Sequence, residues 1–226
     1  MAHDVDTIVM QIRSIDAKPW ILQKHYAKRM PCVQYAFGLY VSNTLSGVVT
    51  YGTPSSSKLR SSLCGGKWPV IELNRLCVEC DKKNAASILV GRSLKMLNDC
   101  VVVSYADTSM GHVGYVYQAT NWIYTGLSAK RTDWHIEGEE GKHGQTIADK
   151  TRGMDNRAQA IRQMYGDRFS LVPRPRKHRY VYFCGNRRVA RDMRANLNYD
   201  IIPYPKGDTA RYNAGGCVAT QGILVL

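Results

Sequence analysis

The stretch Glu72 to Gly126, ELNRLCVECDKKNAASILVGRSLKMLNDCVVVSYADTSMGHVGYVYQATNWIYTG, decides the fold. Glu72 to Val78 is a short apolar run that ends in the polar turn ECDKKN. ASILVGRSLKML follows, with Ala86, Leu89, Val90, Leu94 and Leu97 at helical spacing. After Asn98-Asp99, Cys100 to Ala106 is a second apolar, β-branched run, and Asp107, Thr108 and Ser109 offer helix caps before GHVGYVYQATNW. The spacing predicts two β-α units in tandem, with parallel strands joined by right-handed crossovers. Ligands of open α/β sheets bind beyond the strand ends, which directs attention to Cys80–Ser87 and Ser104–His112. Gly111 and Gly114 fall within the second expected helix, where each glycine costs about 1 kcal/mol relative to alanine. A bare backbone face there implies close packing. His112, Tyr115, Tyr117, Gln118, Asn121, Trp122 and Tyr124 give that segment more polar-tipped side chains than a plain core helix carries. The plain alternative is a helix packed on a sheet with its tyrosine hydroxyls in water.

Outward from this stretch, Asp6–Ile15 reads as a first strand. Asp16 and Pro19 open a helix, WILQKHYAKR, that Pro31 closes. CVQYAFGLYV and LSGVVTYG flank Ser42–Ser46 as a β-hairpin, and the Ser- and Gly-rich Thr53–Pro69 reads as a mobile segment at the rim of the site, either a substrate loop or a connector. Beyond Tyr124, WIYTGLSAKRTDWHI reads as one strand, Asn156–Tyr165 as a helix, Tyr180–Gly185 as a late strand and NRRVARDMRANLN as a last helix. The expected fold is a mixed α/β sheet: an antiparallel N-terminal hairpin, then parallel β-α-β units, flanked by helices. One domain spans 1–226, with 150–226 a basic portion that completes the sheet.

Charge is the strongest global signal. Lys and Arg total 31 against 18 Asp and Glu, a net +13, which points to a polyanionic partner and first to nucleic acid. The excess is clustered, with eight Lys or Arg from Arg174 to Arg194 against the single acid Asp192. Arg187, Arg191 and Arg194 share a helix face, and with Arg174, Arg176, Lys177 and Arg179 they form the expected DNA-backbone contact. The seven cysteines are scattered and odd in number, which argues against a disulfide framework. No apolar run approaches the roughly 20 residues of a membrane span and the N-terminus lacks a signal-peptide pattern, so a cytoplasmic protein is expected.

The order of elements resembles the GNAT acyltransferase fold. In that family the turn after the fourth strand holds an acyl-coenzyme A. The resemblance places donor binding at Leu76, Val78, Asn84, Ala86 and Ser87, although the family's glycine-rich Q/R-x-x-G-x-G/A is absent. More specifically, HYAKRMP, ELNRL, SYADTSMGHVGYVYQATNWIYTG and KHRY…PYPK resemble the Mom family of phage DNA-modification proteins. That resemblance covers His25 to Lys206. It implies conversion of the adenine N6-amine of double-stranded DNA to a carbamoylmethyl derivative, in the cytoplasm of the host bacterium, as protection from restriction.

On this reading the adenine is extruded from the duplex. Tyr115, Trp122 or Tyr124 stacks on it, and Asn121 or Gln118 reads its edge. Asp107 or Tyr124 takes the proton, with Ser104 and Arg75 orienting the donor or stabilising charge. Arg75 in an apolar strand has a plain alternative role as an ion-pair partner of Glu72 or Asp81. The group donor is unidentified. An acyl-CoA would leave an amide on nitrogen, not an alkylated amine. Iron is implied by the resemblance, and His25 and Tyr26, with an Asp such as Asp107, would supply N and O ligands. A GNAT enzyme acting with acetyl-CoA on a small or protein amine, and a non-catalytic DNA-binding protein, are the competing readings.

Overall fold

The computed structural model describes residues 6–139 and 144–207. Its described elements in chain order begin with strand β1 (Thr7–Ile12), helix α1 (Ser14–Pro19, continued by a π-helical turn Trp20–Lys24), β2 (Tyr35–Val41), β3 (Thr44–Gly52) and α2 (Ser57–Ser62). The central part is β4 (Val70–Val78), α3 (Ala85–Leu94), β5 (Cys100–Asp107), α4 (Tyr115–Ala119), β6 (Ile123–Leu127) and β7 (Arg131–Ile136). The rest is α5 (Gly144–Asp149), α6 (Arg157–Tyr165), β8 (Phe169–Arg174), β9 (Lys177–Cys184) and α7 (Arg187–Ala195).

The main sheet has seven strands in the order β1-β2-β3-β4-β5-β9-β6. The hairpin forms as the sequence predicts, with Ser42 and Asn43 at φ 48° and 62° between β2 and β3. Those paired positive angles match the twist of two-residue hairpin turns. β4 and β5 are parallel, joined by α3. The second unit is different. β6 does not pair with β5, because β9 inserts between them and is antiparallel to both. β5 and β6 therefore run parallel with a strand from far along the chain between them.

Side-chain alternation fixes the two faces. Val102 and Ala106 of β5 join Ala86, Leu89 and Val90 of α3, and Tyr117 of α4, in one core. Val101 and Val103 join Leu59 and Leu63 around α2, and Met193 of α7, in the other. The segment read as mobile thus carries α2, because Leu59, Leu63 and Cys64 are buried under the sheet. β7 and β8 form a separate two-stranded sheet whose own core is Ile136, Ile147 and Ile161. The single strand expected beyond Tyr124 is therefore two strands in two sheets. The first helix also differs from expectation. It starts at Ser14, contains Pro19 and ends before His25, whose backbone is extended.

Gly111 and Gly114 lie outside the α4 helix, at φ 66° and 85°. They end one turn and start the next, geometry that glycine adopts without Cβ strain. The close packing inferred from the sequence is found at Gly114, where a Cβ would stand 2.4 Å from the Tyr180 ring. Gly114→Ala is expected to destabilise the fold by about 2–4 kcal/mol, through positive-φ strain plus a clash with a buried ring. Thermal denaturation checks it: a fall in Tm of roughly 5–15 °C is expected, and an unchanged Tm would mean that the Tyr180 ring moves freely.

Candidate active site

β4 and β5 pair only from Val70–Leu73 to Val101–Ser104, and then part while β4 continues along β3. The gap that opens is where polar side chains from four segments meet. Ser104 stands at its apex, its hydroxyl 2.8 Å from the Leu73 carbonyl and 2.8 Å from the Tyr117 hydroxyl. The one hydroxyl hydrogen of Ser104 bonds the last β4 carbonyl of the ladder, and Tyr117 donates in turn to Ser104. Ser104 is fully buried and spends its hydrogen-bonding capacity inside the protein. It holds the apex in place of orienting a donor group.

Asp107 ends β5 at the mouth of the gap. Its Oδ2 is 2.6 Å from Lys177 Nζ, and its Oδ1 accepts from the Ser109 hydroxyl at 2.6 Å and the Ser109 N–H at 3.1 Å. Burial alone would raise its pKa, but the bonds from Lys177 and Ser109 and the ammonium charge hold it below the usual carboxylate value. Asp107 is ionised at neutral pH. Lys177 is thus committed to Asp107 and is not a free phosphate contact. Glu72, which sequence reasoning had considered only as an ion-pair partner, reaches the same region. Burial pushes its carboxyl up, opposed by Arg75, Lys177 and a backbone hydrogen bond from Ser55.

Arg75 donates through Nε and Nη2 to the Arg29 carbonyl at 3.2 and 2.9 Å, and through Nη1 to the Asn74 carbonyl at 2.6 Å. In place of the alternative of a direct ion pair with Glu72 or Asp81, Arg75 makes this carbonyl grip, although Glu72 still contributes to the field around the guanidinium. The grip holds the His25–Arg29 loop against β4. Within that loop the His25 and Tyr26 rings are stacked, centroids 4.5 Å apart, and His112 meets Tyr26 edge-on at 6.2 Å.

Burial, with the charges of Arg75 and His112, lowers the His25 pKa to about 4. The unfolded imidazole titrates near 6.5. Between these values the unfolded chain binds more protons, so the stability that neutral His25 contributes is complete above about pH 6.5 and is lost as pH falls toward 4. His25→Gln is expected to remove roughly 2–3 kcal/mol of this acid sensitivity. Chemical denaturation midpoints measured from pH 7.5 to 4.5 check the prediction, and equal slopes in both proteins would contradict it. Burial also lowers the pKa of His112, partly offset by Asp107, which leaves a second neutral imidazole at the mouth.

His25 Nδ1 accepts from the Ala27 N–H at 3.1 Å, which leaves the ring proton of the neutral form on Nε2. In this arrangement neither nitrogen offers a lone pair to a metal, and burial keeps the Tyr26 phenol protonated. Among the described residues no group of three or more His, Cys, Asp or Glu side chains converges as metal ligands. The iron expectation at His25 and Tyr26 does not fit these residues.

Several other assignments are corrected. Trp122 is 0% exposed and Tyr124 5%, both within a run of packed rings that includes Tyr117 and Tyr180, so neither is open to a base. The Tyr124 hydroxyl is 2.7 Å from His178 Nδ1, and Tyr124 is a core residue with a local partner. Gln118 donates to the Val113 carbonyl and the Tyr180 hydroxyl, an internal brace. Asn121 is exposed at φ 60°, where it makes the tight turn into β6. Tyr115 lies at the surface.

The basic segment is also largely consumed internally. Arg174 bonds Asp133 at 2.8 Å, Arg176 bonds the Ser128 and Leu127 carbonyls, and Arg179 is buried against Thr125 with the Tyr199 ring 3.5 Å from its guanidinium. Arg187, Arg191 and Arg194 remain exposed on α7. Val189 and Met193 pack α7 onto the sheet, Asn186 Oδ1 caps it, and Asp192 is paired with Lys67 at 2.6 Å. Of the residues assigned to donor binding, Ala86 and Val78 are buried, Leu76 and Ser87 are half-buried, and Asn84 is exposed at φ 61° ahead of α3.

No helix among the described residues is long and apolar enough to cross a membrane. In the solved structures, this chain is similar to a GNAT-family acetyltransferase from Bacillus cereus ATCC 10987, at 13% identity and a TM-score of 0.42 over 80% of this chain and 99% of that one. It is also similar to an acetyltransferase from Salmonella typhimurium solved with its cofactor acetyl-CoA, at 7% identity and a TM-score of 0.42 over 80% of this chain and 95% of that one. The Methylcarbamoylase mom of Escherichia phage Mu is 29% identical over 203 residues, covering 84% of this chain and 80% of that protein. A model of the Mom protein family matches residues 6–206, and the chain belongs to that family.

Proposed function

We propose that this chain is a DNA-modifying transferase that places a carbamoylmethyl group on the N6-amine of adenine in double-stranded DNA. The observation that carries the reading is the meeting of Asp107, His112, Tyr26 and Arg75 at the mouth of the β4–β5 gap in a protein of the Mom family. An exocyclic amine that displaces a leaving group from the donor's methylene carbon gains positive charge as the N–C bond forms, the leaving group departs with the electron pair of the bond that breaks, and the amine then sheds a proton. The Asp107 carboxylate, kept ionised by Lys177 and Ser109, accepts the N6–H hydrogen bond and stabilises that charge. A carboxylate with a depressed pKa is a weak base, so the neutral imidazole of His112 is the better proton acceptor. The rate should therefore rise with pH through the lowered His112 pKa and be lost below it.

The donor is assigned to the gap itself. The β4 backbone beyond Leu73, through Leu76 and Val78, borders it with those side chains packed on the core, and the first-turn N–H groups at Ala86 and Ser87 have no preceding helical carbonyl to bond, which suits an anionic donor head group. The exposed α7 arginines take the DNA backbone. β9 runs from Lys177, opposite Asp107, to Cys184, opposite Cys100, and α7 then returns on the face that carries Val101 and Val103. The chain arrives at Tyr199 over Arg179, which pairs with Tyr105. The ridge thus leads toward the Asp107 end of the sheet. Expression in bacteria tests the reading. Plasmid DNA from expressing cells should resist endonucleases blocked by N6-modified adenine, and full cleavage despite folded protein would sink it.

A further inference from the structure

Tyr26 is an aromatic residue without a structural reason for its exposure. It is 43% exposed, yet its loop is held firmly. His25 N–H bonds the Trp20 carbonyl at 3.0 Å, Lys28 N–H bonds the His25 carbonyl at 3.0 Å with Lys28 at φ 40°, and Arg75 grips the Arg29 carbonyl. Arg29 also lies 3.8 Å from Asp149 of α5, a second tie on the same loop. A flexible surface loop needs none of these. They fix the Tyr26 ring in one place, with His25 stacked beneath it at an interplanar angle of 29° and His112 standing against it at 80°.

We propose that the Tyr26 ring is the platform on which the extruded adenine stacks, an assignment that rests on the DNA-adenine reading above. Of the three aromatics the sequence offered for this task, Trp122 and Tyr124 are sealed in the core, and Tyr115, though exposed, lies on α4 with Gly207 against its hydroxyl, whereas Tyr26 is the exposed ring that meets His112. Tyr26 is where a base would be needed, because its phenol lies within the fields of Lys177, Asp107 and Arg75 at the gap. A base lying on this ring has His112 on its flank and the Asp107 carboxylate in reach of its exocyclic edge. The stack is built of neutral rings. Burial keeps the Tyr26 phenol protonated and the His25 imidazole uncharged, so the platform adds no anion near the phosphates. The tyrosine's work on this assignment is done by its π-face, and its hydroxyl is dispensable.

Wild type, Tyr26→Phe and Tyr26→Leu are expressed in the same bacterial strain, and modified deoxyadenosine in digested cellular DNA is quantified by mass spectrometry, with the Tm of each purified protein measured alongside. Base–aromatic stacking of about 1–3 kcal/mol predicts that Tyr26→Leu lowers the modified fraction by roughly 10–100-fold at limiting expression, and that Tyr26→Phe restores most of it. Tyr26→Phe as inactive as Tyr26→Leu would overturn the platform and give the hydroxyl a chemical role. Tyr26→Leu equal to wild type would overturn it too. If Tyr26→Leu proves unstable, the Phe variant alone decides between ring and hydroxyl. Wild type that leaves DNA unmodified removes the DNA reading itself and the platform with it, an outcome distinct from failure of the variants alone.

Discussion

Asp107→Asn is expected to lower DNA modification by about 10²–10⁴-fold while leaving duplex binding in place. The amide keeps the shape of the carboxylate and a carbonyl oxygen toward Ser109, but it carries no charge to stabilise the attacking amine. It also strips Lys177 of its counterion, 2.6 Å away, so a positive charge is left at the mouth of the gap where positive charge has to develop on N6. The two effects act in the same direction. Asp107 is buried but Lys177 is 37% exposed and can be hydrated, and the amide keeps the bonds from Ser109, so stability should fall by roughly 1–3 kcal/mol. Modified deoxyadenosine in DNA from expressing cells, set against the Kd for a duplex, separates chemistry from binding. Near-wild-type modification by Asp107→Asn would remove the carboxylate from the mechanism and leave His112 or Glu72 to be examined.

Changing Arg187, Arg191 and Arg194 together to Ala should weaken duplex binding by roughly 10–100-fold at about 0.1 M salt, and by similar factors for all sequences, because backbone contacts carry no sequence information. Each phosphate neutralised contributes about 0.9 to the slope of log K against log salt, so the triple variant should show a slope shallower by about 2–3. The fold should tolerate the change. All three side chains are exposed, and Val189 and Met193, which anchor α7, are untouched. Filter binding across a salt series measures both quantities. An unchanged slope would move the DNA contact off α7.

The parts of the fold legible in the sequence were those set by local period and turn chemistry. β4, α3 and β5 follow from apolar spacing, the β2–β3 hairpin from the turn around Asn43, and α7 from Val189 and Met193 on one face. The insertion of β9 between β5 and β6 was not legible, because the pairing of Ser104 with Tyr180 joins positions far apart in the chain and leaves no mark in either segment. Gly114 carried a real signal of close packing, read as belonging inside a helix when it starts one, whereas Gly111 has only its positive φ and nothing packed against it. A glycine demanded by positive φ at a helix start looks the same in sequence as one inside a helix.

The site divided in the same way. Asp107, Arg75 and the His25-Tyr26 pair do come to one place, at the end of the strands where α/β ligands bind. The polar-tipped aromatics misled, since a tyrosine satisfies its ring by burial and its hydroxyl by one partner, and composition cannot tell a core tyrosine such as Tyr124 from an exposed one such as Tyr26. Charge counting misled for Arg176 and Arg179, whose guanidinium groups are taken up by carbonyls and a hydroxyl of the β6 region. His112 and Glu72 were visible as residue types, but their roles depend on neighbours from other strands.

The central claim is that this protein alters adenine in DNA, and nucleoside mass spectrometry of digested DNA tests it most directly. DNA from cells expressing the wild-type chain should contain a heavier deoxyadenosine whose added mass is that of a carbamoylmethyl group, and DNA from cells expressing Asp107→Asn should lack it. An added mass matching an acetyl group would point to acyl transfer from acetyl-CoA, and unmodified deoxyadenosine in the presence of soluble, DNA-binding wild-type protein would contradict the account.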